Sequence, residues 1–420
     1  MTEIKQYQGT ARGRTLSLVL LASGAFAFGT SGFVIAGVLP SIAASFDIPI
    51  TQASLLITVY AVVFAVGAPF VSIVTARVPR TVLIASGLAL GTVGTTLAGL
   101  VPTFELMMAA RVLAALGAAA FVPAATSAAA AIAQPGKQGR AVALVTGGFT
   151  AATALGAPLG TVIGSIGSWH WSLYFVGIIG ALVFASIVVV LRGVPAAETM
   201  TVRERFAPLA SGRIALVMVA TLLLVAGQYS AYTFFGAVQD RATGGSGTIL
   251  AVLLFVYGVS ATVGNLVAGV LADRFGNRRV LEISLVILIA DFLVMPIAGA
   301  QLWSAIICIA VWGFSAWAAL LAIQHRIVGI SSSAIAWNTS ATFFGIALSG
   351  PVGSLAISTV GAHSLTLVGA GVLVLAVVSG MLSHRLVTRE SKKSAIRAGE
   401  STTEDTEMEP APGDTRNRIG

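Results

Sequence analysis

The chain has 420 residues, of which 56% are hydrophobic and only 10% are charged. Soluble domains carry about 25% charged residues, whereas this chain is built from repeated apolar runs long enough to cross a hydrocarbon core about 30 Å thick. The composition excludes a soluble protein, and the net charge of +8 reports how loops are arranged in a membrane rather than an affinity for nucleic acid.

Twelve apolar segments remain when the chain is cut at its charges and turn residues. The first follows a basic stretch but continues without a convincing cleavage site, so we interpret it as a retained helix rather than a signal peptide. The pattern predicts an all-α membrane protein with twelve transmembrane helices. In chain order the segments cover residues 15–43, 51–75, 80–101, 104–132, 138–165, 171–192, 212–238, 247–271, 278–299, 301–325, 331–359 and 362–385.

Lysine and arginine fall at alternate joints between these segments. Among the even-numbered joints, the second carries Arg77 and Arg80 and the fourth carries Lys137 and Arg140. The odd-numbered joints together carry only Arg241. An excess of basic residues marks the cytoplasmic side of a membrane protein. We therefore expect a multi-pass protein of the cell inner (plasma) membrane with both termini in the cytoplasm.

The chain also repeats itself at a spacing of 197 residues. The joints VTARVPR and LADRFGN align so that Ala76 falls on Asp273, and the same offset places Gly148 on Gly345. A repeat of this length, with six segments on each side, predicts two related six-helix bundles.

The predicted organisation has five parts. A cytoplasmic N-terminal segment, residues 1–14, precedes a six-helix bundle at 15–192, and a cytoplasmic linker at 193–211 leads to a second bundle at 212–385. Residues 386–420 are polar and contain proline, with too little apolar surface to fold alone, so we expect a disordered cytoplasmic tail. The two bundles would enclose a site between them.

The eighth segment and its joint end in the stretch Gly269-Val-Leu-Ala-Asp273-Arg274-Phe-Gly276-Asn-Arg278. This stretch resembles the loop signature of the major facilitator superfamily, and the resemblance implies two six-helix pseudo-repeats. We expect a gate latch here, because an acidic side chain at a helix end can accept hydrogen bonds from a neighbouring helix in one conformation and lose them in another. A tight turn with orienting arginines is the structural alternative, and both can hold together. The residues are Arg77 in the first-half joint and Gly269, Asp273, Arg274, Gly276 and Arg278 in the second.

The fourth and fifth segments are similar to those of the drug and proton antiporters in that superfamily. Arg111 begins the motif of the fourth segment. The motif of the fifth segment consists of Gly148, Gly156, Pro158 and Gly160. Glycines permit close packing and proline lacks a backbone donor, so this helix can bend. By resemblance the bend favours export, although ordinary packing of small residues is the alternative.

Finer features around Tyr229, Trp312 and Asn338 resemble a bacterial branch that contains purine, arabinose-type sugar and chloramphenicol efflux transporters. The resemblance covers nearly all of the predicted membrane region. Two positions depart from the pattern. Gly32 stands where many relatives carry an acidic residue, and Ala76 replaces the aspartate of the first-half loop.

Asp291 is the clear mid-membrane acid, near the centre of the ninth segment. A carboxylate there loses hydration, which penalises its charged form, so it could exchange a proton. Arg111 lies about two turns inside the fourth segment and cannot shed its charge, so it must meet carbonyls, water or an acid. We expect both residues to serve proton coupling. By resemblance to the antiporters, Arg111 would influence proton release or bind substrate. The alternatives are a neutral Asp291 bonded to a neighbouring helix and an Arg111 that clamps helices together.

Aromatic and amide side chains on several segments are candidates for a substrate cavity. Gln228 and Tyr232 are four residues apart and share a helix face. Aromatic rings stack on planar solutes, and amides bond neutral polar groups. Packing or anchoring at the membrane interface is the alternative for any single Trp or Tyr. The candidate residues are Tyr60, Gln228, Tyr229, Tyr232, Trp312, Trp317, Gln324 and Asn338.

These features predict a secondary active efflux transporter that exports small neutral or amphiphilic solutes by proton antiport and alternating access. Its partners would be the lipid bilayer, protons and a small-molecule substrate, and we expect a monomer. The runner-up is an uncoupled facilitator or an importer of a small metabolite, favoured by Gly32 and Ala76. No GxxxxGK[ST] run appears, the four histidines are scattered and Cys308 is single, so we expect no enzyme activity, cofactor, metal or nucleic acid.

Overall fold

The computed structural model describes residues 11–75, 77–191, 194, 206, 210–330 and 334–382. Throughout these ranges the regular secondary structure is helical, and 12 helices are long and apolar enough to cross a membrane. The predicted all-α fold with twelve transmembrane helices is confirmed. The helices are α1 (Ala11–Ser45), α2 (Ile50–Val74), α3 (Arg80–Ala98), α4 (Phe104–Ile132), α5 (Gln138–Ile166), α6 (Trp169–Val190), α7 (Gly212–Thr233), α8 (Gly247–Phe275), α9 (Asn277–Ala298), α10 (Leu302–Ile330), α11 (Ile335–Val360) and α12 (Ala362–Leu382).

Local sequence explains where several of these helices begin and end. The hydroxyl of Thr103 accepts a hydrogen bond from the backbone N–H of Leu106 at 3.4 Å and caps α4, which satisfies one of the free donors of its first turn. Gly276 has a φ of +87°, in the region that favours glycine, and it separates α8 from α9. The long uninterrupted helices follow from the bilayer, where every backbone polar group needs an internal partner.

The two halves of the chain repeat the same helix crossings. A Cβ added to Gly148 in α5 would lie 2.1 Å from the carbonyl oxygen of Ala22 in α1. A Cβ added to Gly345 in α11 would lie 2.7 Å from the carbonyl oxygen of Leu222 in α7. Only glycine permits backbones to approach this closely. The aligned glycines therefore serve equivalent crossings, and the two six-helix pseudo-repeats are confirmed.

Some boundaries differ from those expected. The predicted segment 212–238 is interrupted, because α7 ends at Thr233 and a short helix, Phe235–Val238, follows. Helix α8 continues to Phe275, so the loop-signature acid lies in its last turn rather than in the joint. Most of the predicted linker and all of the predicted tail lie outside the described residues, and the domain boundaries stay a prediction.

Helix direction alternates, so Arg77, Lys137 and Arg274 all lie at one end of the bundle. We call this end the basic face and the other end the opposite face. The halves pack together tightly near the opposite face. The hydroxyls of Ser54 in α2 and Ser354 in α11 lie 3.4 Å apart. The Ser354 hydroxyl also reaches the carbonyl oxygen of Thr51, at 3.4 Å. The halves are therefore closed against each other at this end.

Candidate functional site

A narrow cavity lies at the centre of the bundle, between the two halves. Its volume is about 30 Å³, enough for roughly two or three water molecules. Sites for drug-sized ligands measure about 300–1,000 Å³, so the halves must move apart before a solute fits. The walls come from α1, α2, α4 and α5 of the first half and α7 and α11 of the second. They consist of Phe28, Gly32, Phe33, Ala36, Ile57, Tyr60, Arg111, Phe149, Tyr229, Tyr232, Thr233, Phe343 and Ile346.

Arg111 is the charged residue of this cavity, and it is fully buried. Its Nη1 donates to the carbonyl oxygen of Ser31 at 3.0 Å and to the Ser31 hydroxyl at 3.2 Å, and its Nε donates to the carbonyl oxygen of Leu56 at 3.4 Å. Its guanidinium carbon lies 4.3 Å from the centre of the Tyr60 ring. Its Nη2 has no hydrogen-bond partner among the residues that the structure describes. The side chain therefore joins α4 to α1 and α2 and retains one unpaired donor.

Three of the predicted cavity tyrosines do line the cavity: Tyr60, Tyr229 and Tyr232. The rings of Tyr229 and Tyr232 lie 6.4 Å and 6.0 Å from the ring of Phe33 in α1, so aromatic contacts cross between the halves here. The Tyr232 hydroxyl is buried and has no hydrogen-bond partner within the described part of the chain. The cavity wall thus combines aromatic surface, the Arg111 cation and polar groups without partners there.

Gln228, Trp312 and Trp317 form a layer behind the cavity instead of lining it. The indole nitrogen of Trp317 donates to the Tyr257 hydroxyl at 3.3 Å, and that hydroxyl donates to the Gln228 side-chain oxygen at 3.2 Å. Trp312 is fully buried, with its ring 5.1 Å from that of Tyr257 and 6.5 Å from that of Tyr232. These residues hold the cavity tyrosine Tyr232 in place.

The remaining two cavity candidates lie elsewhere in this conformation. Gln324 is exposed near the end of α10. Asn338 is buried in α11, and its side-chain oxygen accepts a hydrogen bond from the Thr221 hydroxyl of α7 at 2.8 Å. This bond ties two helices of the same half together, which is the reason that the amide does not face the cavity.

Asp291 does not line the cavity either. It is buried in α9, where its carboxylate lies beside the Cys308 thiol of α10. One carboxylate oxygen, Oδ2, has no hydrogen-bond partner among the described residues. The two residues expected to couple protons therefore lie in different halves, and only Arg111 reaches the central space.

The loop-signature residues lie on the basic face. Asp273 and Arg274 are exposed in the last turn of α8, and Asp273 makes no hydrogen bond or ion pair with any described residue. Arg278 pairs with Glu282 one turn along α9, with Nε and Oε1 2.7 Å apart. Exposed pairs of this kind stabilise a helix by only about 0.3–0.5 kcal/mol. Arg77 is exposed beside the basic end of α2, and Gly269 packs loosely, with a Cβ there 3.8 Å from Leu321.

The glycines of the fifth helix face α1 within the first half. A Cβ at Gly148, Gly156 or Gly160 would lie between 2.0 and 2.3 Å from an atom of α1. Just before Pro158, which cannot donate a backbone hydrogen bond, the chain makes a wide π-helical turn over Ala152–Gly156. Gly258 of α8 packs against this turn. The irregular part of α5 is therefore a contact point between the halves.

Several cavity residues had no sequence signal that separated them from ordinary membrane residues. Phe149 and Phe343 are apolar residues within long apolar helices. Phe343 stacks on Phe64 of α2, with ring centres 3.8 Å apart and an angle of 23° between the planes. This pair lies between the cavity and the basic face. At the repeat spacing of 197 residues, Phe343 aligns with Thr146 and Phe64 aligns with Ala261, so the repeat gives no signal for this pair.

Comparisons with known proteins agree with this architecture. A family model described as Major Facilitator Superfamily matches residues 21–242 and 217–412. The chain is 27% identical over 383 residues to the uncharacterized MFS-type transporter YbcL of Bacillus subtilis (strain 168), covering 90% of this chain and 98% of that protein. It is 29% identical over 373 residues to the inner membrane transport protein YdhP of Escherichia coli (strain K12), covering 88% and 96%.

The fold is also similar to that of a bacterial homolog to the human lysosomal transporter Spinster. The crystal structure of that homolog in an inward-facing and occupied conformation gives a TM-score of 0.73 at 19% identity, covering 90% of this chain and 98% of that chain. The inward-facing and unoccupied structure gives a TM-score of 0.70. With two matched halves, twelve spanning helices and a cavity between them, the chain belongs to the major facilitator superfamily and is a multi-pass membrane transporter, not an enzyme.

Proposed function

We propose that the chain is a secondary active exporter of small amphiphilic solutes that works by alternating access and proton antiport. The observation that carries this proposal is the central cavity, with walls from both halves. Several contacts close it toward the opposite face, and the Phe64–Phe343 pair closes it toward the basic face. A small movement of α2 relative to α11 would open the cavity on the basic side.

Export also receives support from α5. Its wide turn at Ala152–Gly156 lies where Gly258 of the other half packs, so bending of α5 and separation of the halves are mechanically linked. A proton-driven cycle needs a group that gains and loses a proton within the bundle. Asp291, with its unpaired oxygen beside Cys308, is our candidate, and its effect on the cavity would be transmitted through α9 and α10.

We further propose that the basic face is cytoplasmic, that both termini lie on that side of the inner membrane, and that the protein works as a monomer. Arg140 is exposed at the basic end of α5. An Arg140→Cys, Cys308→Ala protein should react with a membrane-impermeant maleimide in inside-out vesicles and remain unlabelled in intact cells. Labelling from the outside only would reverse the orientation.

The transport proposal is tested with purified full-length protein in proteoliposomes. Flux of a purine, a pentose and a phenicol drug is measured with and without an imposed pH gradient. We expect the gradient to drive flux of at least one solute, and Asp291→Asn to lose that drive while keeping downhill exchange. Glu282→Gln removes an exposed carboxylate and is the matched control. The absence of flux under any gradient would contradict the exporter. A full pH-driven flux in Asp291→Asn would contradict the coupling role of Asp291.

An uncoupled facilitator or importer is the second candidate. It is favoured by the cavity wall, where none of the residues that the structure describes supplies a carboxylate to exchange protons directly with a bound solute. In this case the flux in the same proteoliposomes would follow the solute gradient and ignore the pH gradient.

A further inference from the structure

The guanidinium of Arg111 is held firmly but is not neutralised. Backbone and hydroxyl oxygens of Ser31 and Leu56 take up Nη1 and Nε, and the Ser31 hydroxyl is itself fixed by the Thr95 hydroxyl at 3.0 Å. None of the described residues that line the cavity carries a carboxylate, and Asp291, a buried acid of the second half, lies beside Cys308 instead. A buried charge is normally paired, because leaving it alone is costly.

Part of this cation is unused at the cavity that Arg111 lines. Nη2 is buried and has no hydrogen-bond partner among the described residues. Arginine cannot escape the cost by losing its proton. At Gly32, next in sequence to Ser31, an added Cβ would meet only the Tyr60 ring, at 3.9 Å. There is therefore room beside the guanidinium for a group that the protein itself does not supply.

Aromatic surface surrounds the same space. Phe33, Tyr229 and Tyr232 contact one another with ring centres 5.4 to 6.4 Å apart. Rings at these separations form a wall against which a planar apolar group can pack. The cavity thus offers a preorganised donor for an anionic oxygen and, beside it, a surface for a ring.

We propose that the solute is an aromatic carboxylate, whose carboxylate oxygens bind Arg111 at Nη2 and whose ring packs against Phe33, Tyr229 and Tyr232. This inference rests on the proposed transport function and narrows its substrate class. The sequence predicted neutral or amphiphilic solutes, but of the two residues Asp291 and Arg111 only the cation lines the cavity. A charge-assisted hydrogen bond in a desolvated site is among the stronger polar contacts a protein makes.

Binding to the purified full-length protein, measured by calorimetry without any gradient, tests the proposal. Benzoate and benzamide are the probes, because they have nearly the same shape and differ in charge. We expect the wild type to bind benzoate at least about tenfold more tightly than benzamide. Arg111→Gln should remove this preference while still binding benzamide. Arg140→Gln deletes an exposed arginine and should keep it.

Gly32→Asp provides a second variant that does not depend on removing a helix contact. Its carboxylate would occupy the space beside Arg111 and compete with the solute, so benzoate affinity should fall by about tenfold or more with benzamide affinity little changed. Equal affinities in the wild type, a preference that survives in both variants, or no binding of either probe by monodisperse protein would overturn the proposal.

Failure of the anion-site proposal can be distinguished from failure of the proposed transport function. A protein that prefers benzoate in binding but moves no solute in proteoliposomes would support the anion site and contradict transport of such solutes. A protein that moves neutral solutes and shows no benzoate preference would overturn the anion site alone.

Discussion

Phe64 of α2 and Phe343 of α11 stack face to face across the boundary between the two halves, with ring centres 3.8 Å apart. Phe343 also forms part of the cavity wall. One pair of rings therefore separates the cavity from the basic end of the bundle, whereas hydroxyl contacts and close backbone packing occupy the opposite end.

Removing one of these rings should open the cavity from the basic side. Stacked pairs contribute about 0.5–1.5 kcal/mol beyond their buried area, so Phe343→Ala should raise the open population about two- to tenfold. The measurement is the labelling rate of Thr233→Cys, a cavity position, in a Cys308→Ala background and inside-out vesicles. Phe344→Ala, which removes an exposed ring next in sequence, is the control. An unchanged rate would show that the pair is not a gate.

The contact between α8 and the wide turn of α5 leaves no room for a methyl group. A Cβ at Gly258 would lie 2.3 Å from the Ala154 Cα and 2.4 Å from the Thr153 carbonyl oxygen, and a backbone cannot rotate aside as a side chain can. Gly258→Ala should destabilise this conformation by about 1–3 kcal/mol, seen as a lower thermal denaturation midpoint. Gly371→Ala is the control, because its Cβ would meet no atom within 4 Å. Equal midpoints for both variants would contradict the close packing.

The gate-latch proposal makes a different prediction for Asp273. Because this carboxylate is exposed and makes no hydrogen bond or ion pair with the described residues here, Asp273→Asn should change stability by less than about 0.5 kcal/mol. It should nevertheless increase the population with separated basic ends, because the latch, when formed, would hold those ends together.

Spin labels at Arg140→Cys and Arg279→Cys, on the two halves of the basic face, would report that separation. Glu282→Gln alters another exposed acid nearby and should leave the distance distribution as it is. Identical distributions for Asp273→Asn and the parent protein would remove the latch.

Asn338 should behave as a structural residue. Its side-chain oxygen accepts from Thr221 across the α7–α11 crossing, so Asn338→Ala should cost about 1 kcal/mol of stability and leave the apparent KM for the solute unchanged. Tyr229→Ala, at the cavity wall, is the comparison and should raise KM. A KM change in Asn338→Ala equal to that of Tyr229→Ala would return Asn338 to the cavity.

The sequence was sufficient for the features that depend on the bilayer and on local repetition. Hydropathy located the twelve helices because a lipid-spanning helix must be long and apolar. The alignment of Gly148 with Gly345 predicted the paired crossings because only glycine fits there. Tyr60, Tyr229 and Tyr232 were predicted at the cavity, and the structure places them there.

Residues whose role depends on helix rotation were beyond the reach of the sequence. Asn338 and Gln324 are polar residues in membrane helices, but their faces are set by the partners of α11 and α10, which spacing does not reveal. Phe343 was not predicted because the sequence of an apolar helix does not show whether a phenylalanine faces lipid or another ring. The position of Asp291 beside Cys308 likewise depends on the packing of α9 against α10.

A chamber with room for only two or three waters has a consequence for selectivity. A guest cannot enter a space that already exists; it must hold open a space that the side chains otherwise fill. Compounds would then be sorted by how well they stabilise the widened arrangement, rather than by whether they fit a fixed outline. A tight inhibitor of this protein would be a molecule that holds the two bundles apart, so that neither the Phe64–Phe343 stack nor the Ser54–Ser354 contact can re-form.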